Sequence, residues 1–372
     1  MANDVVIVGA SFAGVACAVA AARAGADVRV LERRRDPGER LHTTGIVVKE
    51  ALAEIDAIAP LPESLARPIR GVRLHAPGGA SIALDSPGYF FLATDTPALM
   101  RWLVDRAREA GVAVDCGVPF DGASRAAGGW RLPDGTGTRF LVGADGPKSR
   151  VARSAGLGLN ARFLFGEEIE IAGASLAEPD RLHCFLDARR ARGYIGWMFA
   201  GVGVVQAGLA GTHARGGGTP DADEFVAAVA PRVGLSGGHA RARRAGLIPI
   251  GGPVAPGAAD RVTLIGDAAG LVSPLTAGGI HTALESGRRL GVALGVARAG
   301  PAWRDATAPL VVAPPAPRVR AKRLARAIYD RVQSDRLFDL AIGNRAFAAL
   351  ARLVFFHRRG LASPAAWRDL IR

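Results

Sequence analysis

An α/β fold, with a parallel sheet, an inserted mainly antiparallel sheet and a helical C-terminus, is predicted by three observations. The first is a strand, turn, helix and strand in succession at the N-terminus. The second is a pair of later apolar strands that each end on an Asp beside a Gly, at Asp145–Gly146 and Gly266–Asp267. The third is a strand-like, glycine-punctuated stretch between them. Length agrees with this reading: a chain of 372 residues, 49% hydrophobic, has room for two compact units or for one domain inserted into another.

Asp4 to Val8 is a nearly continuous apolar run rich in β-branched residues, and an Ala-rich helix follows it as far as Ala24. Gly25 caps that helix, and Asp27 to Leu31 forms a second strand ending on Glu32. Such a β-α-β unit demands parallel pairing and defines a Rossmann-like domain. Gly71 to Leu84 and Phe90 to Leu92 read as strands, Pro97 to Gly111 as an amphipathic helix on Leu99, Leu103, Val104 and Ala107, and Val112 to Val114 as a short strand. Residues 161–210 favour strands, including Tyr194 to Phe199 and Val202 to Leu209. Arg215 to Pro220 and Pro249 to Gly257 are loops, and Arg261 to Ile265 is a strand. The Pro-rich residues 308–317 read as a linker and 318–358 as basic amphipathic helices. The expected division is therefore a Rossmann-like domain from 1–70, 97–160 and 258–300, a second domain from 71–96 and 161–257, and a helical region over 301–372.

Composition excludes several functions. No apolar run is long enough to span a bilayer and no signal-peptide pattern opens the chain, so a cytoplasmic protein is expected. Cys17, Cys116 and Cys184 are far apart and show no metal-ligand spacing, so they read as small buried residues with no metal site. The net charge of +13 comes from arginines scattered along the chain, without a basic strip interleaved with aromatics, so no nucleic-acid partner is expected.

Chemistry is suggested by three motifs. In Gly9-Ala10-Ser11-Phe12-Ala13-Gly14, Gly9 permits a tight turn, the small Ser11 lets a pyrophosphate approach the backbone and Gly14 allows close helix packing. The helix start offers N–H groups to phosphates, and Glu32 offers acceptors to a ribose. Asp145–Gly146 stands at the C-terminal end of an apolar strand, where ligands sit in open α/β sheets. Gly266–Asp267, followed by Gly270, Pro274, Ala277, Gly278, Gly279 and Ile280, places a polyol-binding Asp ahead of another helix start.

In this order and spacing the three motifs resemble the FAD-binding flavoproteins that include aromatic hydroxylases, halogenases and geranylgeranyl reductases, over residues 1 to about 300. The resemblance implies FAD as cofactor, held by residues 9–14, Glu32, Arg33, Thr44, Gly45, Val118, Asp145, Gly146, Gly266 and Asp267. Asp267 would bind the ribitol, and the helix starting near Leu275 to Gly279 would direct its positive end at the flavin, with Pro274, Ala277, Gly278, Gly279 and Ile280 alongside. Gly270, where hydroxylases usually carry His, and the segment Gly193-Tyr194-Ile195-Gly196-Trp197-Met198-Phe199 are similar to the reductase branch. Ala200–Gly201 departs from the Pro-Lys of that branch, Thr96 stands where an Arg near the flavin is usual, and the segment 40–45 lacks the usual Cys.

His42 is expected beside the flavin, as a polar loop residue or a proton donor, and Trp197 and Phe199 are expected to share one face, lining an apolar substrate cavity or packing a core. Tyr194 falls on the other face of a regular strand, and Lys49 reads as a surface residue on a helix. No catalytic residue is assigned. By the resemblance, the expected activity is FAD-dependent reduction of an isoprenoid-type double bond in an apolar small molecule. An FAD monooxygenase using NAD(P)H and O2 and a non-catalytic flavin-binding interaction protein are the alternatives. NAD(P)H as a transient donor, ferredoxin and reduced quinone remain open, as does the oligomeric state. The basic C-terminal helices allow peripheral contact with an anionic membrane.

Overall fold

The computed structural model describes residues 3–39, 41, 43–212, 220–298 and 316–356. Its first sheet has a parallel centre in the order Val262–Leu264, Gly137–Gly143, Asn3–Val8, Val28–Glu32, Ala113–Cys116. Continuous apolar strands suit this position, because both faces are covered. Val5 and Ile7 pack with helix Phe12–Arg23 on one face, while Val6 and Val8 pack with Val151 and Trp130 on the other.

Helix Ile280–Arg298 lies against helix Phe12–Arg23 with backbones nearly touching. Gly287, Gly291 and Gly295 make this possible: they recur every four residues, and a Cβ on them would collide with the Ala13 carbonyl, the Cys17 carbonyl and the Ala24 side chain in turn.

The second sheet runs Ser236–Pro249, Phe163–Ser175, Val204–Gly211, Gly196–Ala200, Arg181–Phe185, Gly71–His75, Ser81–Asp85. Its pairings are antiparallel except that between Arg181–Phe185 and Gly71–His75. Helix Ala222–Val233 covers one face through Phe225, Val229 and Val233. The other face packs against Phe338, Ile342, Ala351 and Phe356 of the C-terminal segment. A small third sheet joins Ile46–Val48, Phe91–Thr94 and Ala66–Ile69.

Several expectations need correction. The strand expected from Tyr194 starts at Gly196, so Tyr194 is outside it and packs in the same apolar group as Trp197 and Phe199. Cys17 and Cys184 are buried, and burial pushes both thiols up, but Cys116 is only half-buried, with its sulfur 3.7 Å from Arg108. Residues 308–315 of the expected linker lie outside the described residues, and its last two positions already belong to helix Ala316–Arg331. Sequence reading also missed helix Ala222–Val233 and strand Ser236–Pro249. That strand is an exposed edge rich in Gly and Ala, poor intrinsic strand formers, and its neighbour Phe163–Ser175 supplies its ladder.

Candidate active site

The three motifs meet at one edge of the parallel sheet. Asp267, Asp145, Gly9 and Glu32 leave the C-terminal ends of four adjacent strands in that order, with the ladder continuing as Ile265 N–H to Gly143 O (2.9 Å), Ala144 N–H to Val8 O (2.8 Å) and Gly9 N–H to Leu31 O (2.8 Å). This is the position where open parallel sheets bind ligands.

Each motif has a local physical reason. Gly9 has φ +102°, and a Cβ there would strike the Ala144 carbonyl. A Cβ on Gly14 would run into the Gly9 carbonyl, so helix and turn close together only as glycines. Ser11 does more than stay small: it caps helix Phe12–Arg23, its Oγ accepting from Gly14 N–H (3.2 Å) and donating to Ala144 O (3.0 Å), which ties the first motif to the second. Ala10, Phe12 and Ala13 are buried around it.

Glu32 is buried and accepts from Ala10 N–H (2.9 Å) and Arg34 N–H (2.9 Å). Its carboxylate therefore shapes the turn as well as presenting oxygen to a ligand. Arg33 is exposed, and the half-buried neighbour Arg34 is the one that faces Glu32, at 3.7 Å. Val118 donates its N–H to Glu32 O (2.9 Å) and leaves its apolar side chain in solvent at that strand end.

One carboxylate oxygen of Asp145 caps the next helix through Arg150 N–H (2.6 Å) and Val151 N–H (3.2 Å), while its other oxygen is buried without a hydrogen bond. Gly146, at φ +82°, has open space beside it. Asp267 sits on the turn Gly266–Ala269, and burial without a hydrogen bond to its carboxylate pushes its pKa up to about 6. Asn160, missed by the sequence reading, bridges the second and third motifs by donating to Pro147 O (3.1 Å) and Asp267 O (2.9 Å). A lone Asn in a loop carries no sequence signal of that role.

The helix expected from near Leu275 begins at Ile280. Pro274, Ala277, Gly278 and Gly279 form the turn before it, closed by Ala277 N–H to Ser273 O (2.9 Å) and Ser273 N–H to Gly278 O (3.1 Å). No acidic side chain occupies the helix's first turn, so its positive end is not neutralised there. Tyr194 donates its hydroxyl to Thr276 O, joining this turn to the second sheet.

Thr44 is half-buried; Gly45 has φ +72°, and its carbonyl accepts from Thr94 Oγ1 (3.0 Å). Thr96, at the position expected for an Arg, is buried with its hydroxyl 3.0 Å from that of Thr94. His42 lies outside the described residues. Trp197 and Phe199 do share a face, packed in one group with Ile46, Val48 and Ala277. Lys49 donates to Gly88 O (2.7 Å) and lies over the Phe90 ring.

The same face carries a polar cluster that sequence reading did not find. Trp197 Nε1 donates to Glu168 Oε2 (2.9 Å), Arg244 Nη1 lies 3.6 Å from Glu168 Oε1, and Arg244 also pairs with Glu170 and donates to Thr43 O (3.2 Å). Burial pushes the Glu168 carboxyl up to about 8, against the opposing pull of Arg244 and of the Trp197 N–H.

These residues fit FAD: the glycines let the first turn and the helix behind it close on each other, one oxygen of Asp145 is buried without a hydrogen bond, and burial alone acts on the carboxyl of Asp267.

Comparison with known proteins agrees. The model of the FAD binding domain family matches residues 2–306. Digeranylgeranylglycerophospholipid reductase 2 of Methanopyrus kandleri is 31% identical over 320 residues, covering 77% of this chain and 76% of that protein. Menaquinone reductase of Mycolicibacterium smegmatis is 33% identical over 320 residues, covering 77% and 74%. The crystal structure of a geranylgeranyl bacteriochlorophyll reductase-like protein from Thermoplasma acidophilum shares the fold, with a TM-score of 0.81 at 20% identity over 99% of each chain. The chain thus belongs to the FAD binding domain family and is an FAD-dependent oxidoreductase related to the geranylgeranyl-type reductases.

Proposed function

We propose that this enzyme reduces an isoprenoid-type carbon–carbon double bond in an apolar small molecule. The observation that carries the reading is the apolar group of the second sheet, in which the buried Trp197 and Phe199 belong to one cluster with Ile46, Val48 and Ala277 of the turn before helix Ile280–Arg298. An apolar wall beside the turn at 273–279 suits a prenyl chain better than a polar substrate. Bound FAD supplies hydride transfer, and the chain supplies position and field. In this reading residues 9–14, Glu32, Arg33, Thr44, Gly45, Val118, Asp145, Gly146, Gly266, Asp267, Pro274, Ala277, Gly278, Gly279 and Ile280 hold the cofactor, while Trp197 and Phe199 line the substrate space. The cofactor domain comprises 1–70, 97–160 and 258–300, the substrate domain 71–96 and 161–257, and the electron donor is NAD(P)H bound transiently.

The protein works in the cytoplasm, resting on an anionic membrane through its C-terminal helices. Leu324, Ile328 and Val332 are exposed and four residues apart, flanked by Arg320, Arg323 and Arg331. Among the described residues no helix is long and apolar enough to cross a membrane. The test is a visible spectrum of the purified protein followed by anaerobic NADPH and then a prenyl substrate. Bleaching by NADPH and reoxidation by the substrate without oxygen are expected; product that forms only with oxygen overturns the reading in favour of a monooxygenase.

A further inference from the structure

Three register pairs align four strands in one row: Arg244 opposite Glu168, Glu168 opposite Gly208, and Gly208 opposite Trp197. A Cβ on Gly208 would strike the indole, so the glycine lets Trp197 lie across its strand and reach Glu168 on the strand beyond. The next row places Gln206 opposite Glu170 and Phe199 opposite Gln206. Period-two alternation puts both rows on the face that carries the apolar wall.

Three buried atoms on that face have no hydrogen-bond partner, Glu168 Oε1, Gln206 Oε1 and Arg244 Nη2, and the last is held by its ion pair with Glu170. Leaving buried polar atoms unpaired is unfavourable, and a ligand that pairs them removes the penalty. Charge decides which ligand. Arg244 is matched by Glu170, and Glu168, with its carboxyl pushed up to about 8, is neutral at pH 7. The other charged group acting on the cluster is Asp95, through Arg244. The set therefore holds no unmatched cation for an anion.

Resting on the prenyl-reductase reading, we propose that Glu168 and Gln206, backed by Trp197 and Arg244, form a neutral subsite that receives the hydroxyl or carbonyl head of the substrate and disfavours a phosphorylated head. Neutral Glu168 donates to the head oxygen, and Gln206 Oε1 accepts from a hydroxyl.

The test follows perturbation of the flavin spectrum in the FAD-loaded protein, using a C20 prenyl alcohol and its monophosphate as probes. At pH 7 the alcohol is expected to bind at least roughly tenfold more tightly. Glu168→Leu should weaken alcohol binding about tenfold, Glu168→Gln should largely retain it, and wild-type affinity should decline above about pH 8 while that of Glu168→Gln does not. Equal or tighter binding of the monophosphate overturns the subsite and leaves the prenyl reading standing. Binding of neither probe overturns the prenyl reading, and the subsite with it. The wild-type comparison decides even if a variant fails to fold.

Discussion

The edge of the parallel sheet and the wall of the second sheet are built on opposite principles. At the parallel edge, the groups in contact are mostly close in sequence: Ser11 caps Gly14, Asp145 caps Arg150 and Val151, and Gly9 stands five residues from Gly14. Polar groups there are satisfied largely by backbone N–H groups, a solution that short motifs can encode. On the wall, Arg244, Glu168, Gly208 and Trp197 come from four separate strands, Arg244 pairs with Glu170 inside the protein and Trp197 donates to Glu168. The contrast teaches that a turn can be specified by a few neighbouring residues, whereas a buried charged cluster exists only once a whole sheet is in register.

The comparison breaks most visibly at Gly14. Gly14→Val drives side-chain atoms into the Gly9 carbonyl, which cannot move aside; retained flavin should vanish and stability fall by about 4 kcal/mol or more, measured by absorbance and urea unfolding. If Gly14→Val keeps its flavin, the cradle is not as rigid as its contacts imply.

Arg244→Met tests the wall. It leaves Glu170 without its cation and removes a buried partner of Glu168, and a loss of about 3–5 kcal/mol in urea unfolding is expected at pH 7. A loss below about 1 kcal/mol would mean that the pairing adds little beyond packing.

Asp267→Asn should weaken FAD binding by about 1.5 kcal/mol, roughly tenfold, read by fluorescence titration of the apoprotein. The carboxyl titrates at about 6, so wild-type affinity should fall as the pH drops through that value and the charged acceptor is lost. The Asn variant should lack that step.

The smallest effect belongs to Ser11→Ala, about 1 kcal/mol in thermal or urea unfolding from loss of the cap. A much larger loss would mean that the bond to Ala144 matters more than the cap itself.

Legibility followed the same division. The strand at Asn3–Val8, the helix at Phe12–Arg23, the strand at Val28–Glu32 and the helix at Thr96–Glu109 were readable because their apolar spacing and caps are local. Strand Ser236–Pro249 was not, since its residues favour strand only when a neighbour supplies the hydrogen bonds. Glu168 and Arg244 look like ordinary surface charges in a linear reading; their burial follows from their place in the sheet.

By itself the sequence determined the glycine turn, the acidic strand ends and their order, because backbone sterics and helix caps act over a few residues. Only the tertiary structure decided that Asn160 would clamp two motifs, that Gly287, Gly291 and Gly295 would bring two helices together, and that Trp197 would reach Glu168 across a glycine. Those contacts join residues far apart in the chain, and pairing register and helix packing are properties of the folded whole.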